Sequence, residues 1–499
     1  MRTQAVRAAR RPGWGPWIVG IVGLLQLPSA LIHAAAQTQA ATYQLEAIAP
    51  ITSGSDGGGA VVRALATTDE GATFVVGDFR TATVRFGDVT LTNTKAPKSD
   101  LFVARVKPDG SVAWAFSWGG NNDDFARCVA WEPLQGKVYV LGDFRSAALS
   151  VADARGNRPG LTKGLKGDLD VLVARLDGAT GSVEWVTRIG DDAGEDVGMA
   201  LVVEEVKNRP VLHVAGWFDF VQPHNNKTQR DTFVSVVDSL SGEELVDRGQ
   251  FWTADGDEVL TAAALSPLEG MLYVVGISNS NELILDIAGG ILPLAPATSK
   301  TAVPRAFLVA LDTRRSEVAW SLSLEDVAPT AASKEPDTLQ ASLPLAAVTG
   351  VAVNPTDPGF IYVTGAFTAP AVLRLVRSAA PVQQAALLAI DARQRGIVWA
   401  GLPAAVTPGA GALAMDVYGY LYAANAKEVV KLDRITDGPA AVLARQALSR
   451  CGAGPTDVAV DLRGSAYVAC MGGSVGRALV VSGGCLLLEI MDVVGWVNG

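Results

Sequence analysis

The chain has 499 residues, 49% of them hydrophobic and 18% charged, with 41 Lys and Arg against 51 Asp and Glu. So apolar a composition supports a large buried core and excludes a generally disordered chain. The formal net charge of −10 opposes binding to nucleic acid or to an anionic membrane.

The first element is a targeting segment. Arg2, Arg7, Arg10 and Arg11 make a basic start, Trp17 to Leu31 an apolar run, and Ala34, Ala35 and Ala36 a small-residue cleavage site before Gln37. The run is close to the minimum that spans a bilayer, so an uncleaved anchor is the alternative to a signal peptide over residues 1–36. Pro28 and the alanines favour cleavage, which makes the protein secreted or cell-surface. Loss of the four arginines leaves 37 basic against 51 acidic residues, a net charge of −14. No later segment is long and apolar enough to span a membrane.

From Tyr43 onward the chain repeats one phrase. It runs as an apolar strand, a turn with Asp and Gly, a strand ending in Gly, a loop, a Val/Ala/Leu strand, a turn, and a strand with Trp. The clearest copies are VVRALATTDEGATFVVGDF (61–79) with DLFVARVKPDGSVAWAF (100–116), and CVAWEPLQGKVYVLGDF (128–144) with DVLVARLDGATGSVEWV (170–186). The second strand recurs as TFVVGDF, KVYVLGDF, VLHVAGWF, MLYVVGIS, FIYVTGAF, YLYAAN and SAYVAC. Such units cannot bury both faces alone. They predict an all-β fold: a single β-propeller of about seven four-stranded antiparallel blades over residues 43–499.

About 66 residues per unit exceeds the usual four-stranded repeat, so the surplus lies in loops. Turns of an antiparallel meander alternate between two ends. The long second-to-third loops (80–99, 145–168, 219–230, 279–305, 368–384) and the blade-to-blade connections, including 325–343, therefore share one face. Long loops on a rigid scaffold are where binding functions sit. TYQLEAIAP (42–50) precedes the first unit as VAWAFSW precedes the second. It competes with the C-terminal CLLLEIMDVVGWVNG for the outer slot of the last blade, whose weak third strand reads as LLLEIMD (486–492).

These residues resemble the SBBP repeat, a seven-bladed β-propeller family. The likeness lies in the Asp/Gly turn, the YVTG-like strand with a following Phe, the DxFVAKLD-like strand and the G-x-x-x-W strand, over about residues 43–470. It implies an exported or surface propeller and carries over no catalytic residue. The sixth and seventh units lack the Gly-x-Phe ending, and the third lacks the Trp. AFLVALDTRRSEVAWSL (306–322) and ALLAIDARQRGIVWAG (386–401) are also similar to the Trp-docking repeat of quinoprotein dehydrogenases and outer-membrane assembly lipoproteins. The chain has neither a Cys-Cys dipeptide nor a lipobox Cys.

Chemistry is sparse. The blade-to-blade turns are acidic: Asp123 and Asp124, then Asp191, Asp192, Glu195 and Asp196, then Asp255, Asp257 and Glu258. Clustered carboxylates beside turn carbonyls suit a hard cation, and calcium is the cofactor they suggest. The competing reading is that Asp and Asn cap tight turns. Asp78 and Asp143 occupy equivalent places and either line a central mouth or satisfy strand-end donors. Trp114, Trp185, Trp320 and Trp399 recur in register, which points to packing between blades. Cys451, Cys470 and Cys485 lie in the last unit and allow a disulfide among them, whereas Cys128 reads as a small buried hydrophobe. Asn226 begins a sequon, glycosylated if the source is a eukaryote.

Past the signal only His213 and His224 remain, with no GxSxG elbow, which leaves little for a serine hydrolase. The sequence thus reads as a monomeric, non-enzymatic scaffold that binds protein or glycan through its long-loop face, and no nucleic acid. The alternatives are an extracellular carbohydrate hydrolase using paired carboxylates and a calcium-stabilised module of a wall or matrix.

Overall fold

The computed structural model describes residues 46–478, apart from stretches of which the longest are 294–304, 325–347, 369–383 and 402–411. The segment 1–36, Asp192, Asn226, His224, Cys451 and Cys485 lie outside the described residues. Within them the chain is strand throughout, with one short 3-10 turn at Val246–Arg248.

Consecutive strands pair as antiparallel meanders. Sheet I joins Ala60–Thr67, Thr73–Phe79, Asp100–Val106 and Val112–Gly119. Sheet II joins Asp124–Glu132, Lys137–Phe144, Asp170–Asp177 and Val183–Ile189. Sheet III joins Asp196–Val206, Arg209–Val221, Thr228–Asp238 and Gln250–Trp252. Sheet IV joins Glu258–Ser266, Met271–Ser278, Arg305–Asp312 and Glu317–Ser323. Sheet V joins Val348–Val353, Phe360–Thr368, Gln384–Asp391 and Gly396–Gly401. Sheet VI joins Ala412–Met415, Leu421–Ala424, Glu428–Leu432 and Val442–Ala447.

Sheet VII combines both ends of the described chain. Pro455–Val460, Ala466–Cys470 and Ser474–Ala478 are followed by Glu46–Ser53, with Glu46 opposite Arg477 and Pro50 opposite Ser474. The N-terminal strand thus takes the outer slot. The third strand is Ser474–Ala478, not 486–492, which lies outside the described residues. Cys470, at the end of the second strand, is disulfide-bonded.

Each first strand lies against the first strand of the next sheet, and Pro455–Val460 of sheet VII lies against Ala60–Thr67 of sheet I. Buried apolar side chains fill the spaces between neighbours. Phe74, Val76 and Trp114 of sheet I pack with Val138, Val140 and Leu172 of sheet II, and Tyr467 of sheet VII packs with Val62 and Val75 of sheet I.

The first strand carries one extra residue at the same place in six sheets: Arg63, Arg127, Met199, Thr261, Thr349 and Thr456. Such a bulge bends the strand and re-aims a side chain. It also explains the repeated glycine of the second strand. A Cβ on Gly77 would stand 2.0 Å from Val61 O, and one on Gly216 would stand 2.1 Å from Val197 O.

In sheets I and II the recurring Trp locks the sheet to the next. Trp114 Nε1 donates to Gly178 O at 3.3 Å and Trp185 Nε1 to Ser239 O at 2.9 Å, both in the third-to-fourth turn of the following sheet. Those turns need Gly181 and Gly242, at φ +72° and +76°, because a Cβ there would press on the ring of Trp114 or Trp185. Sheet III lacks a Trp at the register of Trp114, as its sequence indicates, but its outer strand carries another. Trp252 stands opposite Thr232, the register that Trp118 holds opposite Leu101.

Three second-to-third connections are not open loops. Thr83–Phe86 and Val89–Thr92 form a hairpin beside sheet VII, with Phe86 opposite Ile51. Ala148–Val151 and Gly160–Thr162 extend sheet I, with Val151 opposite Trp118. Glu282–Ile284 and Ile291–Pro293 meet sheet III through the Thr253–Ile284 bridge. Hairpins in these positions cover the unpaired edge of an outer strand.

Candidate functional site

The connections between sheets and those between second and third strands meet at one end. Asp124 N donates to Ser99 O and Asp196 N to Leu169 O, while Arg145 N, Asp219 N and Asn279 N donate to the carbonyls of Asp123, Glu195 and Asp257. Asp123–Asp124, Glu195–Asp196 and Asp257–Glu258 therefore hold equivalent places at three successive junctions between sheets. A third carboxylate joins each pair. It is Asp100, Asp170 or Asp231, placed opposite Phe79, Phe144 or Phe218. The sequence displays these aspartates only as the polar residue ahead of the third apolar run.

The first member of each pair holds backbone. Asp123 accepts Ser99 N at 3.0 Å, Glu195 accepts Leu169 N at 3.1 Å and Asp257 accepts Arg230 N at 3.1 Å. Lys98 adds a 2.8 Å ion pair to Asp123, and Arg145 a 2.7 Å one to Glu195. Burial works against the charge on Asp123, but the bonds from Lys98 and Ser99 keep its carboxyl below the usual range.

The second member turns inward. Asp124 accepts Ser146 Oγ at 2.7 Å and the N–H groups of Arg145 and Ser146 at 3.1 Å. Glu258 accepts Ser278 Oγ at 2.8 Å and Ser280 Oγ at 2.7 Å, and Asp196 accepts Asp191 N at 3.2 Å. Burial pushes Asp124 and Asp196 up to about 7 and Glu258 up to about 8, with neighbouring carboxylates adding to each. Burial also raises Asp100, and lifts Asp231 to about 6. Asp100 Oδ1 and Glu258 Oε2 are buried without a hydrogen-bond partner. Asp255 is exposed. Among the described residues no three His, Cys, Asp or Glu side chains are placed to hold a metal ion.

On the inner strands the bulge brings in partners that the sequence did not reveal. Arg63 clasps Asp78 through Nε at 2.7 Å and Nη2 at 3.3 Å, and Arg127 pairs with Asp143. Asp143 Oδ1 also accepts Gly198 N of sheet III at 2.8 Å, beside that sheet's own bulge. Asp78 and Asp143 thus serve the fold at the inner strands.

At the opposite end, His213 stands in the second-strand place held by Tyr139, Tyr273, Tyr362, Tyr422 and Tyr467 elsewhere. Its Nε2 lies 2.8 Å from Glu204 Oε2, and Thr313 Oγ1 donates to Glu204 Oε1 at 2.5 Å. Tyr422 and Tyr467 bond Asp416 and Asp461 at 3.1 Å in the same manner. His213 is therefore a packed strand residue. The thiol of Cys128, pushed up to about 12 by burial, is no more reactive.

No family model matches the chain, and no curated protein matches it. Among solved structures the chain is similar to the Dos1 propeller, at 10% identity over 87% of this chain and 94% of that one, with a TM-score of 0.45. It is similar to the WD40 β-propeller domain of Doa1, at 9% identity over 87% of this chain and 96% of that one, with a TM-score of 0.42. It is also similar to quinohemoprotein alcohol dehydrogenase from Comamonas testosteroni, at 11% identity over 84% of this chain and 72% of that one, with a TM-score of 0.38. Four-stranded antiparallel meanders, each with its first strand against that of the next, make the protein a β-propeller.

Proposed function

We propose that the protein is an exported, non-enzymatic propeller of the SBBP type, closed as seven blades, that binds protein or glycan through its long-connection end. The ring is supported by the run of first strands from sheet I to sheet VII and back, and by Glu46–Pro50 in the last outer slot. One observation carries the binding reading. Phe220, Phe251, Ile284 and Ile291 are exposed on one face of sheet III and the hairpin beside it, and apolar side chains grouped on a surface mark interaction sites.

The test is a screen of residues 37–499 on arrays of extracellular glycans and secreted proteins. Saturable binding should be lost in Phe220→Asp/Phe251→Asp and kept in Leu134→Asp, on a short turn of sheet II. Hydrolysis of a polysaccharide instead would favour the carboxylate-hydrolase reading, for which Asp231 and Glu258 are two raised, interacting carboxyls at one junction. Export predicts that the secreted chain begins at Gln37.

No cofactor belongs to this reading, because the junction carboxylates already serve backbone and hydroxyl donors. The melting temperature is expected to differ by less than about one degree between calcium and chelator. A saturable rise of many degrees that persists at physiological salt would make the protein a calcium-stabilised module.

A further inference from the structure

We infer that sheet II accepts an added strand from a partner protein, an extended segment with apolar residues at alternate positions, docked beside Ile189 and over Phe251. This rests on the binding reading above and names the class of partner.

Among the described residues the molecule fills the same slot itself three times. Each hairpin beside an outer strand lays alternate apolar residues on the next sheet. Val84 and Phe86, beside sheet VII, pack with Phe79 and Phe102 of sheet I. Leu149 and Val151, beside sheet I, pack with Phe144 and Leu172 of sheet II. Leu283 and Leu285, beside sheet III, pack with Phe307 and Val309 of sheet IV.

Sheet II has no such hairpin among the described residues. The connection that would supply it belongs to sheet III, whose second and third strands instead stay paired out to Val221 and Thr228. Sheet III, widened by the hairpin from the connection of sheet IV, therefore reaches past sheet II with a flank left bare among the described residues. Register places the flank's residues. Phe251 lies opposite Phe233, which shares a core cluster with Ile189 of sheet II. Phe218 packs on that cluster, and its ring meets Phe251 edge-on at 6.0 Å. Two residues beyond Phe251, Thr253 faces Ile284, and Ile284 faces Ile291. Phe251 is 60% exposed, Ile291 54% and Ile284 38%.

The covered counterpart shows what the position ordinarily holds. In sheet I the residue matching Phe251 is Ser117, opposite Phe102 as Phe251 is opposite Phe233. Its hydroxyl donates to Thr92 O of the covering hairpin at 3.1 Å. Over the three filled slots the matching residue is polar, Ser117, Arg188 or Ser323; where no described hairpin fills the slot it is Phe251. Arg188 reaches Gly190 O at 3.3 Å beside the slot, a contact that an incoming backbone N–H would replace. Strand addition of this kind takes affinity from main-chain bonds and selectivity from alternate side chains.

The probe is a fluorescent peptide with the sequence of residues 145–153, the segment that fills the slot of sheet I. It is expected to bind residues 37–499 saturably and to slow amide exchange in Thr187–Gly190. Phe251→Asp and, separately, Ile291→Asp should weaken it at least tenfold, and Leu134→Asp should leave it unchanged. Ile291 lies on the outermost strand of the hairpin, so its variant decides the matter if Phe251→Asp fails to fold. Absence of saturable binding overturns the proposal. So does equal binding of a peptide with lysine at both apolar positions, or exchange protection confined to another sheet. Loss of the peptide alone, with array ligands still bound, removes the strand-addition mode and leaves the scaffold reading standing.

Discussion

Gly77→Ala and Gly216→Ala are each expected to destabilise the protein by about 3 kcal/mol or more, enough to leave little folded chain at 37 °C. The methyl group would sit 2.0 Å from Val61 O in one case and 2.1 Å from Val197 O in the other, with Phe102 or Phe233 closing the remaining side. Those oxygens belong to bulged strands that also pack on the neighbouring sheet, so no flexible side chain can yield. Relief requires removing the bulge, and that moves every later residue of the strand to the opposite face. The Arg63–Asp78 clasp, or the Gly198–Asp143 bond between sheets II and III, would then be lost as well. Gly396→Ala is the control, since its nearest obstacle is Gln394 O at 3.8 Å. Thermal melts of the three variants decide the point. If Gly77→Ala melts with Gly396→Ala, the glycine is not what the bulge requires.

That glycine shows where sequence reading succeeds and where it stops. The four-strand phrase is visible because each strand alternates with period two and each turn supplies Asp or Gly. The recurrence of GDF, GDF and GWF is visible too, but its cause is a register shift on another strand, and register is not written locally. The same holds for Arg63 and Arg127, whose aspartate partners lie 15 and 16 residues away across the bulge. The acidic turns were legible as pairs. Their third carboxylates, Asp100, Asp170 and Asp231, were hidden because each stands just ahead of an ordinary-looking apolar run of the preceding sheet. The hairpin 83–92 was within reach, since TVRF and VTLT flank a Gly-Asp turn. It read as loop because the repeat assigns that stretch no strand. Trp252 escaped notice for the opposite reason, in an outer strand too short to carry the phrase.

The junction carboxylates should invert the common dependence of stability on pH. Asp124 and Asp196 titrate near 7 and Glu258 near 8 in the folded chain, from ordinary values of 3.8 and 4.5, because burial disfavours their charge. Between those limits the folded protein holds protons that the unfolded chain has released. Stability therefore falls as pH rises from about 4 through 8, each such group costing about 1.4 kcal/mol for every pH unit over which it stays protonated in the folded chain alone. Asp123 and Glu204 act in the other direction. Burial opposes their charge, but Lys98 and Ser99 hold the first low, and His213 and Thr313 the second. Their contribution is present above the unfolded carboxyl range and is lost as acid protonates them. The two tendencies place the maximum near about pH 5, with a melting temperature several degrees lower at pH 8.5. Glu258→Gln isolates the largest contributor. The amide oxygen still accepts from Ser278 and Ser280, and no charge has to be buried. The variant should melt above wild type at pH 8.5, by less at pH 5.5, and level with it only at about pH 4, below the unfolded carboxyl value of 4.5. A wild-type melting temperature that climbs across the same interval would mean that the junctions are ionised in the folded state and that a cation balances them.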